Sequence, residues 1–385
     1  MKKLAVITTH PIQYNVPLFK TLAKRGIIDI KVFYTWSQSQ NGFFDREFNK
    51  MIDWDIPLLD GYNYEFIQNI SRKPSSKYFR GIICPDLIST VQKWNPDVVL
   101  IYGWAFHAHL KVLKYFKEKI PVFFRGDSTL LDEKFGIKKA FRNILLKYIY
   151  RFVDYAFYVG THNKFYFLRA GLKESQLIYL PYTIDKNHFR DNKSKNYTVK
   201  AIKIRERLGI NRDDKVLAFI GKFINKKNPV FLLKAVQKYN SQNETSVKLL
   251  FIGNGKLEKP LNHLSENDNN VFFLPFVNQK EMPTAYRIAD IFVLPSKGPK
   301  ETWGVSVNEA LICGRFVLVS NKVGSAVDLI KNNDTGEIFE SNNIKSFIEK
   351  LKILIEKGRF AENPYIKSFD LENAAETIET LIYHL

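Results

Sequence analysis

The sequence is poor in cysteine, with two thiols, Cys84 and Cys313, among 385 residues. They stand far apart in unrelated contexts, so we expect neither a disulfide framework nor a CxxC metal or redox site. Such cysteine usage is typical of a reducing compartment and predicts a cytoplasmic location. No apolar run approaches the ~20 residues of a membrane span. The opening MKKLAVITTH is too short for a signal peptide, because His10 and Pro11 end its apolar run.

Glycine, proline and acidic residues are also scarce. Glycine and proline number 19 and 15, which excludes collagen-like or low-complexity character. Against 58 Lys and Arg there are 39 Asp and Glu, giving a net charge of +19 that favours an anionic partner. Residues 1–190 carry 29 basic and 16 acidic side chains and residues 191–385 carry 29 and 23, so the first half is the stronger candidate for docking.

Short apolar runs bounded by turn residues recur along the chain, and stretches with helical spacing lie between them. A first series begins at Leu4, Asp29, Asp97, Pro121, Tyr155 and Leu177. A second series begins at Val216, Val247, Val271, Ile291 and Phe316. Such near-continuous apolar runs are typical of parallel strands covered on both faces. The alternation predicts an α/β fold with two doubly wound, Rossmann-like domains.

The composition also predicts where the domains end. We expect a first α/β domain over 1–190 and a second over 201–365, joined by a linker at 191–200 in the polar stretch RDNKSKNYTVK. The tail LENAAETIETLIYHL has apolar residues at helical spacing. It predicts a C-terminal helix within 366–385 that returns to the first domain.

The strongest candidate site is in SKGPKETWGVSVNEALICG, where seven residues separate Glu301 from Glu309. A helix that begins near Gly304 or Val305 would direct its free N–H groups towards Glu301, and helix starts of this kind bind anions. Glu309 lies further along, where it suits hydrogen bonds from a diol such as a ribose. Two carboxylates at this spacing also occur by chance on helix surfaces, so spacing alone leaves a surface role open.

Basic and glycine-rich turns follow the first two strands of the second series. The run VLAFI leads into GKFINKK, which places Lys222 and Lys227 at the carboxyl end of a strand, where doubly wound sheets bind ligands. Two ammonium groups there suit a diphosphate, although a solvated lysine-rich loop is the alternative. In FIGNGKL, Gly253 and Gly255 lack side chains and would let a ligand approach the backbone.

Taken in order, these segments resemble the carboxy-terminal domain of the retaining nucleotide-sugar glycosyltransferases of family four, which have the GT-B architecture. The turn from Gly221 to Lys227 resembles the family's phosphate-binding turn, and FIGNGKL resembles its next strand and turn. FLPFVNQKEMPTAYRIADIFVLPS resembles its base-binding loop and helix, and ETWGVSVNE its E-x7-E signature. The likeness covers most of residues 215–345. Trp303 is a departure, because the family more often has phenylalanine there.

The resemblance implies a role for each matching residue. Lys222 and Lys227 would bind the donor diphosphate at the turns of Gly221 and Gly253, and Glu309 would bind the ribose hydroxyls. Glu301 would hold hydroxyls of the transferred sugar. The backbone would contribute at Phe276 and Val277 for the base and at Gly304 and Val305 for the sugar and phosphate. With lysines and a helix start to neutralise the diphosphate, we expect no metal and no cofactor beyond the donor substrate.

The first half departs from the family's usual pattern. THPIQYNVPLF places His10 at the end of the first strand, where it suits sugar recognition or simply caps a loop. Some bacterial members of the family have a similar HPIQY opening. Arg125 and Asp127 stand where many relatives have a histidine. Asp127 suits orienting or deprotonating an acceptor hydroxyl and Arg125 suits holding Asp127 or a phosphate, but a purely structural pair is equally open.

Two further patterns carry open alternatives. His107 and His109 are two residues apart, and without other ligands beside them the pair predicts a structural role rather than a metal site. The segment IKKAFRNILLKYIYRF at 137–152 has an apolar stripe that includes Phe141 and Ile144, and a basic stripe beside it. Such a helix can lie on an anionic membrane, but a helix that covers a sheet also needs one apolar stripe.

We therefore expect a metal-independent glycosyltransferase, with Glu301, Asp127, Arg125 and His10 as candidate catalytic residues. The acceptor would be a glycan, carried on a lipid, in bacterial surface polysaccharide assembly such as that of lipopolysaccharide or capsule. The protein would be cytoplasmic and peripheral to an anionic membrane. A sugar-nucleotide epimerase of the same architecture is the first alternative, distinguished by converting the donor without an acceptor. A nucleic-acid-binding protein is the second alternative, but the sequence has none of the compact motifs that recognise nucleic acids.

Overall fold

The computed structural model describes residues 1–40, 43–45, 50–133, 136–331, 334–357 and 369–385. Within these ranges the chain forms two compact units. The first unit comprises Met1–Phe43, Pro57–Ile184 and Ser368–Leu385, and the second comprises Phe44–Ile56 and Asp185–Lys367.

The described strands and helices are the following. The strands are β1 (Lys3–Thr8), β2 (Asp29–Tyr34), β3 (Phe43–Asp45), β4 (Lys50–Ile52), β5 (Asn63–Phe66), β6 (Val98–Tyr102), β7 (Val122–Arg125), β8 (Tyr155–Tyr158), β9 (Leu177–Tyr179), β10 (Val216–Ile220), β11 (Lys248–Ile252), β12 (Val271–Leu274), β13 (Ile291–Leu294), β14 (Phe316–Ser320) and β15 (Gly336–Phe339). The helices are α1 (Val16–Arg25), α2 (Leu87–Trp94), α3 (His107–Phe116), α4 (Ile137–Tyr150), α5 (Thr161–Arg169), α6 (Lys186–Phe189), α7 (Tyr197–Arg207), α8 (Pro229–Asn240), α9 (Glu258–Leu264), α10 (Met282–Ile288), α11 (Val305–Ile312), α12 (Ala326–Leu329), α13 (Ile344–Glu356) and α14 (Leu371–Tyr383).

The first unit is built on a seven-stranded parallel sheet in the order β5-β2-β1-β6-β7-β8-β9. Its interior strand β1 is buried on both faces, as its unbroken apolar run predicts. Ala5 and Ile7 pack with α2 and α3, whereas Leu4 and Val6 pack with α1 and α14 on the opposite face. Because β2 and β6 flank β1, the strand order reverses at the carboxyl end of β1, where such sheets bind ligands.

The C-terminal helix α14 belongs to the first unit, as the sequence predicts. Its buried Ala375, Ile378 and Ile382 share a core with α1. Arg25, at the end of α1, donates from Nε to both carboxylate oxygens of Glu379 at 3.0 Å. The last stretch of the chain is therefore held to the first unit by apolar packing and by an ion pair.

The second unit has a six-stranded parallel sheet in the order β12-β11-β10-β13-β14-β15. Here β11 and β13 flank β10, so the order reverses at the carboxyl end of β10. Leu217 and Phe219 of β10 are fully buried against α8 and α13. Both units are thus doubly wound α/β layers, in agreement with the predicted fold class.

The unit boundaries differ from those that the sequence suggests. The second unit begins at Asp185 rather than after 190, because Phe189 of α6 accepts a hydrogen bond from Arg287 through its carbonyl. The stretch 191–200, expected to be a linker, is a turn followed by the start of α7. Asp191 organises this turn, since its carboxylate accepts hydrogen bonds from the N–H groups of Tyr197 and Thr198.

The second unit also includes residues 44–56, which the sequence gives no reason to separate from the first unit. Asn278 donates from Nδ2 to the carbonyl of Asp53 at 2.7 Å, and the N–H of Lys280 donates to the carboxylate of Asp55 at 3.2 Å. These contacts hold the segment against the loop after β12. In the parts of the chain that the structure describes, we find no helix with the length and apolarity needed to cross a membrane.

Candidate functional site

The loops after β10, β11 and β12 are joined by backbone hydrogen bonds at one edge of the second sheet. The N–H of Gly221 donates to the carbonyl of Ile252, and that of Phe223 donates to the carbonyl of Asn254, both at 2.9 Å. The Asn254 side chain in turn accepts the N–H of Phe276 at 2.8 Å. The turn after β10 is therefore fixed by its neighbours rather than left as a free lysine-rich loop.

Gly253 lies where two loops approach each other closely. Its φ is +141°, and an added Cβ would lie 2.0 Å from the carbonyl oxygen of Gly221. Glycine is therefore needed here for the close approach of the two loops. Gly255 is in a similar position, because a Cβ added there would lie within 3.0 Å of backbone atoms of Phe223.

Glu301 is the centre of a buried ionic cluster in the second unit. Its side chain is 6% exposed and accepts hydrogen bonds from Lys227 Nζ at 2.9 Å and from Ser296 Oγ at 3.0 Å. Lys226 Nζ lies 3.6 Å from the same carboxylate. Ser296 follows β13 and the lysines follow β10, so the cluster spans the point where the strand order reverses.

The electrostatics keep Glu301 ionised. Burial disfavours the charged carboxylate, but the ammonium groups of Lys227 and Lys226 outweigh burial and hold the pKa of Glu301 below its usual value. The site therefore presents a permanent negative charge next to two positive charges. Such a carboxylate is an acceptor for hydroxyl groups, not a proton donor.

Lys222, the other lysine expected to bind phosphate, contacts Asp45. The carboxylate of Asp45 lies 2.8 Å from Lys222 Nζ, and both side chains are partly buried. Asp45 ends the short strand β3, whose segment joins the second unit. No feature of the sequence connects these two residues, which are 177 positions apart.

Glu309 occupies an environment of the opposite kind. Tyr286 on α10 donates its hydroxyl to Glu309 Oε2 at 2.6 Å. Burial raises the pKa of Glu309, and the hydrogen bond from Tyr286 and the charge of Lys227 offset this only in part. Tyr286, fully buried, is a site residue that sequence reasoning does not find. Its place in PTAYRIAD, within the segment that resembles the base-binding helix, is the signal that points to it.

The loop between the two glutamates ends at the start of α11, where the sequence predicts it. Gly304 precedes Val305, the first residue of α11, with φ of +87°. The N–H groups of Gly324 and Ser325 donate to the carbonyls of Glu301 and Trp303 at 3.0 Å, which fixes the loop. Trp303 is buried and donates to Asn308 Oδ1 at 2.8 Å, so its indole braces α11 from within the domain.

The predicted base-reading positions lie next to the segment from the first half of the chain. Phe276 and Val277 are partly buried in the loop after β12. The N–H of Phe276 is engaged by Asn254, which makes Asn254 a positioning residue for this loop. The following Asn278 holds the 44–56 segment through the Asp53 carbonyl.

In the first unit, His10 follows β1 at the point where the strand order reverses. Its Nδ1 is 2.8 Å from Thr9 Oγ1, and its ring packs edge-on against Trp36 with centroids 5.3 Å apart. Burial lowers the pKa of His10 to about 4, so the imidazole is neutral at physiological pH. A neutral imidazole can accept one hydrogen bond and donate another, as sugar recognition requires.

Arg125 and Asp127 both contact Tyr182 in the same unit. Arg125 is buried and donates to the carbonyls of Leu180 and Pro181 at 2.7 and 3.2 Å, which favours a structural role. Asp127 accepts a hydrogen bond from the Tyr182 hydroxyl at 3.2 Å. The Arg125 guanidinium also lies 5.2 Å from the centroid of the Tyr182 ring. Tyr182 is a second residue that the sequence does not single out.

Of the two histidines at the start of α3, His109 has structural contacts. His109 is fully buried, with Nε2 2.8 Å from Thr35 Oγ1 and Nδ1 2.8 Å from the carbonyl of Gly103. It therefore joins the ends of β2 and β6. Burial lowers the pKa of His109 to about 4. Within the described ranges we find no group of three or more His, Cys, Asp or Glu residues arranged to hold a metal ion.

Comparison with known proteins finds one family that resembles the part of the chain that carries these residues. Residues 200–368 match the family model for glycosyl transferases group 1. This part of the chain is therefore similar to the group 1 glycosyltransferases. It contains Lys222, Lys227, Glu301 and Glu309, and its E-x7-E loop is the one described above.

Curated relatives match mainly over part of the chain. An uncharacterized glycosyltransferase of Methanocaldococcus jannaschii is 30% identical over 138 residues, which is 35% of this chain and 34% of that protein. The UDP-Gal:alpha-D-GlcNAc-diphosphoundecaprenol alpha-1,3-galactosyltransferase of Escherichia coli is 28% identical over 184 residues, 45% of this chain and 46% of the relative. The alignments thus span about a third to a half of these relatives.

The whole chain resembles solved structures in fold. Anabaena HepE, solved in complex with UDP and glucose, superposes with a TM-score of 0.71 at 17% identity, covering 100% of both chains. At this identity the likeness shows the fold alone. Together with the two doubly wound units, it assigns the GT-B fold to the protein.

Proposed function

We propose that this protein is a glycosyltransferase that moves a hexose or related sugar from a nucleotide diphosphate sugar to a glycan acceptor, with retention of anomeric configuration. The observation that carries the proposal is the cluster of Glu301, Lys227 and Ser296 at the reversal of strand order in the segment that matches the group 1 family model. An ionised carboxylate beside ammonium groups suits a sugar and a diphosphate bound side by side.

The basic groups of the second unit would stabilise the departing diphosphate. In the reaction, the bond between the anomeric carbon and the phosphate oxygen breaks, and the acceptor oxygen bonds to that carbon on the same face. The acceptor proton passes to the leaving diphosphate. Lys222, Lys227 and the N–H groups at Gly304 and Val305 would stabilise the negative charge that develops there. They supply positive charge that a divalent cation supplies in other enzymes, so we propose that the reaction is metal-independent.

The remaining donor contacts follow from the same placement. Glu309 would accept hydrogen bonds from the ribose hydroxyls, with Tyr286 orienting its carboxylate. The backbone at Phe276 and Val277 would contact the base, in a loop positioned by Asn254. Gly221 and Gly253 would shape the diphosphate turn by letting two loops meet.

The first unit would bind the acceptor. We propose that His10 and Asp127 contact acceptor hydroxyls, while Arg125 positions the loop that carries Asp127. The Escherichia coli relative, named for a diphosphoundecaprenol-linked substrate, supports a lipid-linked acceptor, as does the basic first half of the chain. The setting would be the cytoplasmic face of an anionic membrane, in bacterial surface polysaccharide assembly.

A transfer assay tests the proposal. The purified protein is incubated with UDP-, ADP-, GDP- and dTDP-sugars and with GlcNAc-diphosphoundecaprenol, and products are followed by mass spectrometry. We expect one donor class to extend the acceptor by one sugar, with the donor's anomeric configuration in the product by NMR. The rate should persist in excess EDTA, since lysines and a helix start carry the charge.

Two outcomes would contradict the proposed sugar transfer, and a third would contradict metal independence alone. Conversion of a donor in the absence of acceptor would identify an epimerase instead. Failure of every nucleotide sugar to bind, with salt-sensitive binding of DNA or RNA, would identify a nucleic-acid-binding protein. Loss of transfer in EDTA, restored by manganese or magnesium, would refute metal independence while leaving the transferase intact.

A further inference from the structure

Helix α4 has two apolar faces, and only one of them packs on the protein. Leu146, Ile149 and Tyr150 are buried in the core of the first unit. On the other side of the helix, four large apolar side chains stand in solvent at spacings of three and four residues: Phe141 is 70% exposed, Ile144 66%, Leu145 50% and Tyr148 42%. The sequence leaves open whether this stripe faces the core, and the structure places it outside.

Positive charge surrounds the exposed stripe. The segment 137–152 contains five Lys and Arg residues and no Asp or Glu. Arg151 lies with its guanidinium 4.4 Å from the centroid of the Tyr148 ring, and Lys114 of α3 has its ammonium 5.1 Å from the same centroid. Lys147, four residues before Arg151, is exposed on the same side.

Two acidic residues that flank α4 in the sequence are engaged by cations. Asp154 pairs with Lys117, and Glu133 lies 3.5 Å from Arg142. Such pairing neutralises the carboxylates and leaves the field around the stripe positive. An aromatic and aliphatic stripe beside a basic row is the pattern of helices that lie in the plane of an anionic bilayer surface.

We propose that α4 docks the protein on an anionic membrane, with Phe141, Ile144, Leu145 and Tyr148 inserted at the acyl boundary and the adjacent cations among lipid phosphates. The proposal rests on the proposed function only in that a lipid-linked acceptor resides in such a membrane. The geometry of the helix carries it independently. Charge complementarity favours lipid over a second copy of this chain, because a second copy would bring another net positive surface.

Vesicle binding tests the apolar stripe directly. Full-length protein is sedimented with vesicles of phosphatidylcholine containing phosphatidylglycerol, and with phosphatidylcholine alone. The double variant Ile144→Ser with Leu145→Ser should bind anionic vesicles at least about tenfold more weakly, because two exposed aliphatic groups no longer enter the bilayer. The matched control is Val199→Ser with Leu264→Ser, which removes two exposed apolar side chains from the second unit and should bind as the wild type does.

The cationic row is tested separately. Replacing Lys147 and Arg151 with alanine should weaken binding to anionic vesicles about 30-fold, at ~1 kcal/mol for each charge, and leave the weak binding to neutral vesicles unchanged. Lys200→Ala with Lys203→Ala on α7 is the control for loss of the same net charge.

A probe on the helix shows whether the stripe itself enters the lipid. Ile144→Cys is labelled with an environment-sensitive fluorophore, with Val199→Cys as control. The native Cys84 and Cys313 are buried, and burial raises the pKa of each thiol to about 12, so they react slowly. Emission should shift to the blue with anionic vesicles at position 144 alone.

The outcomes separate this proposal from the transferase proposal. Unchanged vesicle binding in the Ile144 and Leu145 double variant, or an unshifted probe, would overturn docking through α4. Concentration-dependent dimers that this variant abolishes, without vesicle binding by the wild type, would assign the stripe to self-association and overturn it too. In all docking variants, UDP-sugar binding and transfer to a short-chain, detergent-dispersed acceptor should be as in the wild type. If the wild type itself shows neither activity, the result would count against the transferase proposal alone.

Discussion

Glu301 and Glu309 belong to one signature, but their carboxyl groups meet opposite environments. Two lysines keep the pKa of Glu301 low, whereas burial beside a tyrosine raises the pKa of Glu309. The difference follows from the elements that each side chain faces. Glu301 faces the turn after β10, and Glu309 faces α10. The two roles proposed from the resemblance, sugar hydroxyls and ribose hydroxyls, therefore have distinct electrostatic settings.

At the residue scale, Asp45 competes for a lysine that the proposal assigns to the diphosphate. Asp45→Asn keeps the size of the side chain but removes its charge from the contact with Lys222. If the donor diphosphate must displace this carboxylate, the affinity for UDP should rise about fivefold, equivalent to ~1 kcal/mol for a partly exposed ion pair. Isothermal titration with UDP measures the change.

The control for this variant comes from the same segment. Asp55 accepts a hydrogen bond from the backbone of Lys280 and, among the described residues, contacts no ammonium group, so Asp55→Asn should leave the affinity for UDP within about twofold. Weaker UDP binding by Asp45→Asn would mean that Asp45 orients Lys222 for the diphosphate and does not compete with it.

At the scale of elements, the turns after β10 and β11 depend on a glycine. In Gly253→Ala the new Cβ would overlap the carbonyl of Gly221, and a backbone with φ of +141° is itself strained by any side chain. We expect the free energy of unfolding to fall by about 1–3 kcal/mol beyond the conformational cost, with a lower melting temperature and weaker UDP binding. Thermal unfolding and UDP titration measure both effects.

Gly136→Ala separates steric overlap from backbone strain. Gly136 has a nearly identical φ of +145°, and an added Cβ there would meet nothing within 4 Å. This variant should show the conformational cost alone and bind UDP normally. Equal destabilisation in the two variants would refute the role of Gly253 in loop packing.

The eleven strands expected from apolar runs are all present, because strands in a doubly wound sheet are buried on both faces and leave a strong signal. Strands that lack this signal escape prediction. β5 is a half-exposed edge strand, and β15 includes a buried charged residue, Glu337, which pairs with Lys350. The 44–56 segment escapes because contacts with loops distant in sequence decide which unit it joins.

The residues of the candidate site also fall into those that the sequence predicts and those that it does not. Glu301, Glu309 and the lysines stand in local motifs that a single sequence displays. The contacts of Tyr286, Asn254 and Asp45 with these motifs are visible only in the folded chain, because residue spacing does not show which side chains meet. The sequence indicates Gly253 because it is a glycine in a turn after a strand. Its contact with the neighbouring turn is visible only in the folded chain.

At the scale of the whole molecule, the two units carry different parts of the proposed reaction. The second unit supplies the ionic cluster of Glu301 and almost all of the segment that matches the group 1 family model. The first unit supplies His10, Asp127 and the exposed stripe of α4. The central claim is that the carboxyl edge of the second sheet binds a nucleotide diphosphate sugar.

Calorimetric titration of the full-length protein with a panel of UDP-, ADP-, GDP- and dTDP-sugars tests this claim most directly, with Glu309→Gln and the control Glu349→Gln, an exposed residue of α13. We expect saturable binding of one nucleotide class by the wild type and by Glu349→Gln. Binding by Glu309→Gln should be at least about tenfold weaker, because a charge-assisted hydrogen bond contributes ~1.5–3 kcal/mol. Equal affinity in all three proteins, or no saturable binding of any nucleotide sugar, would contradict the account.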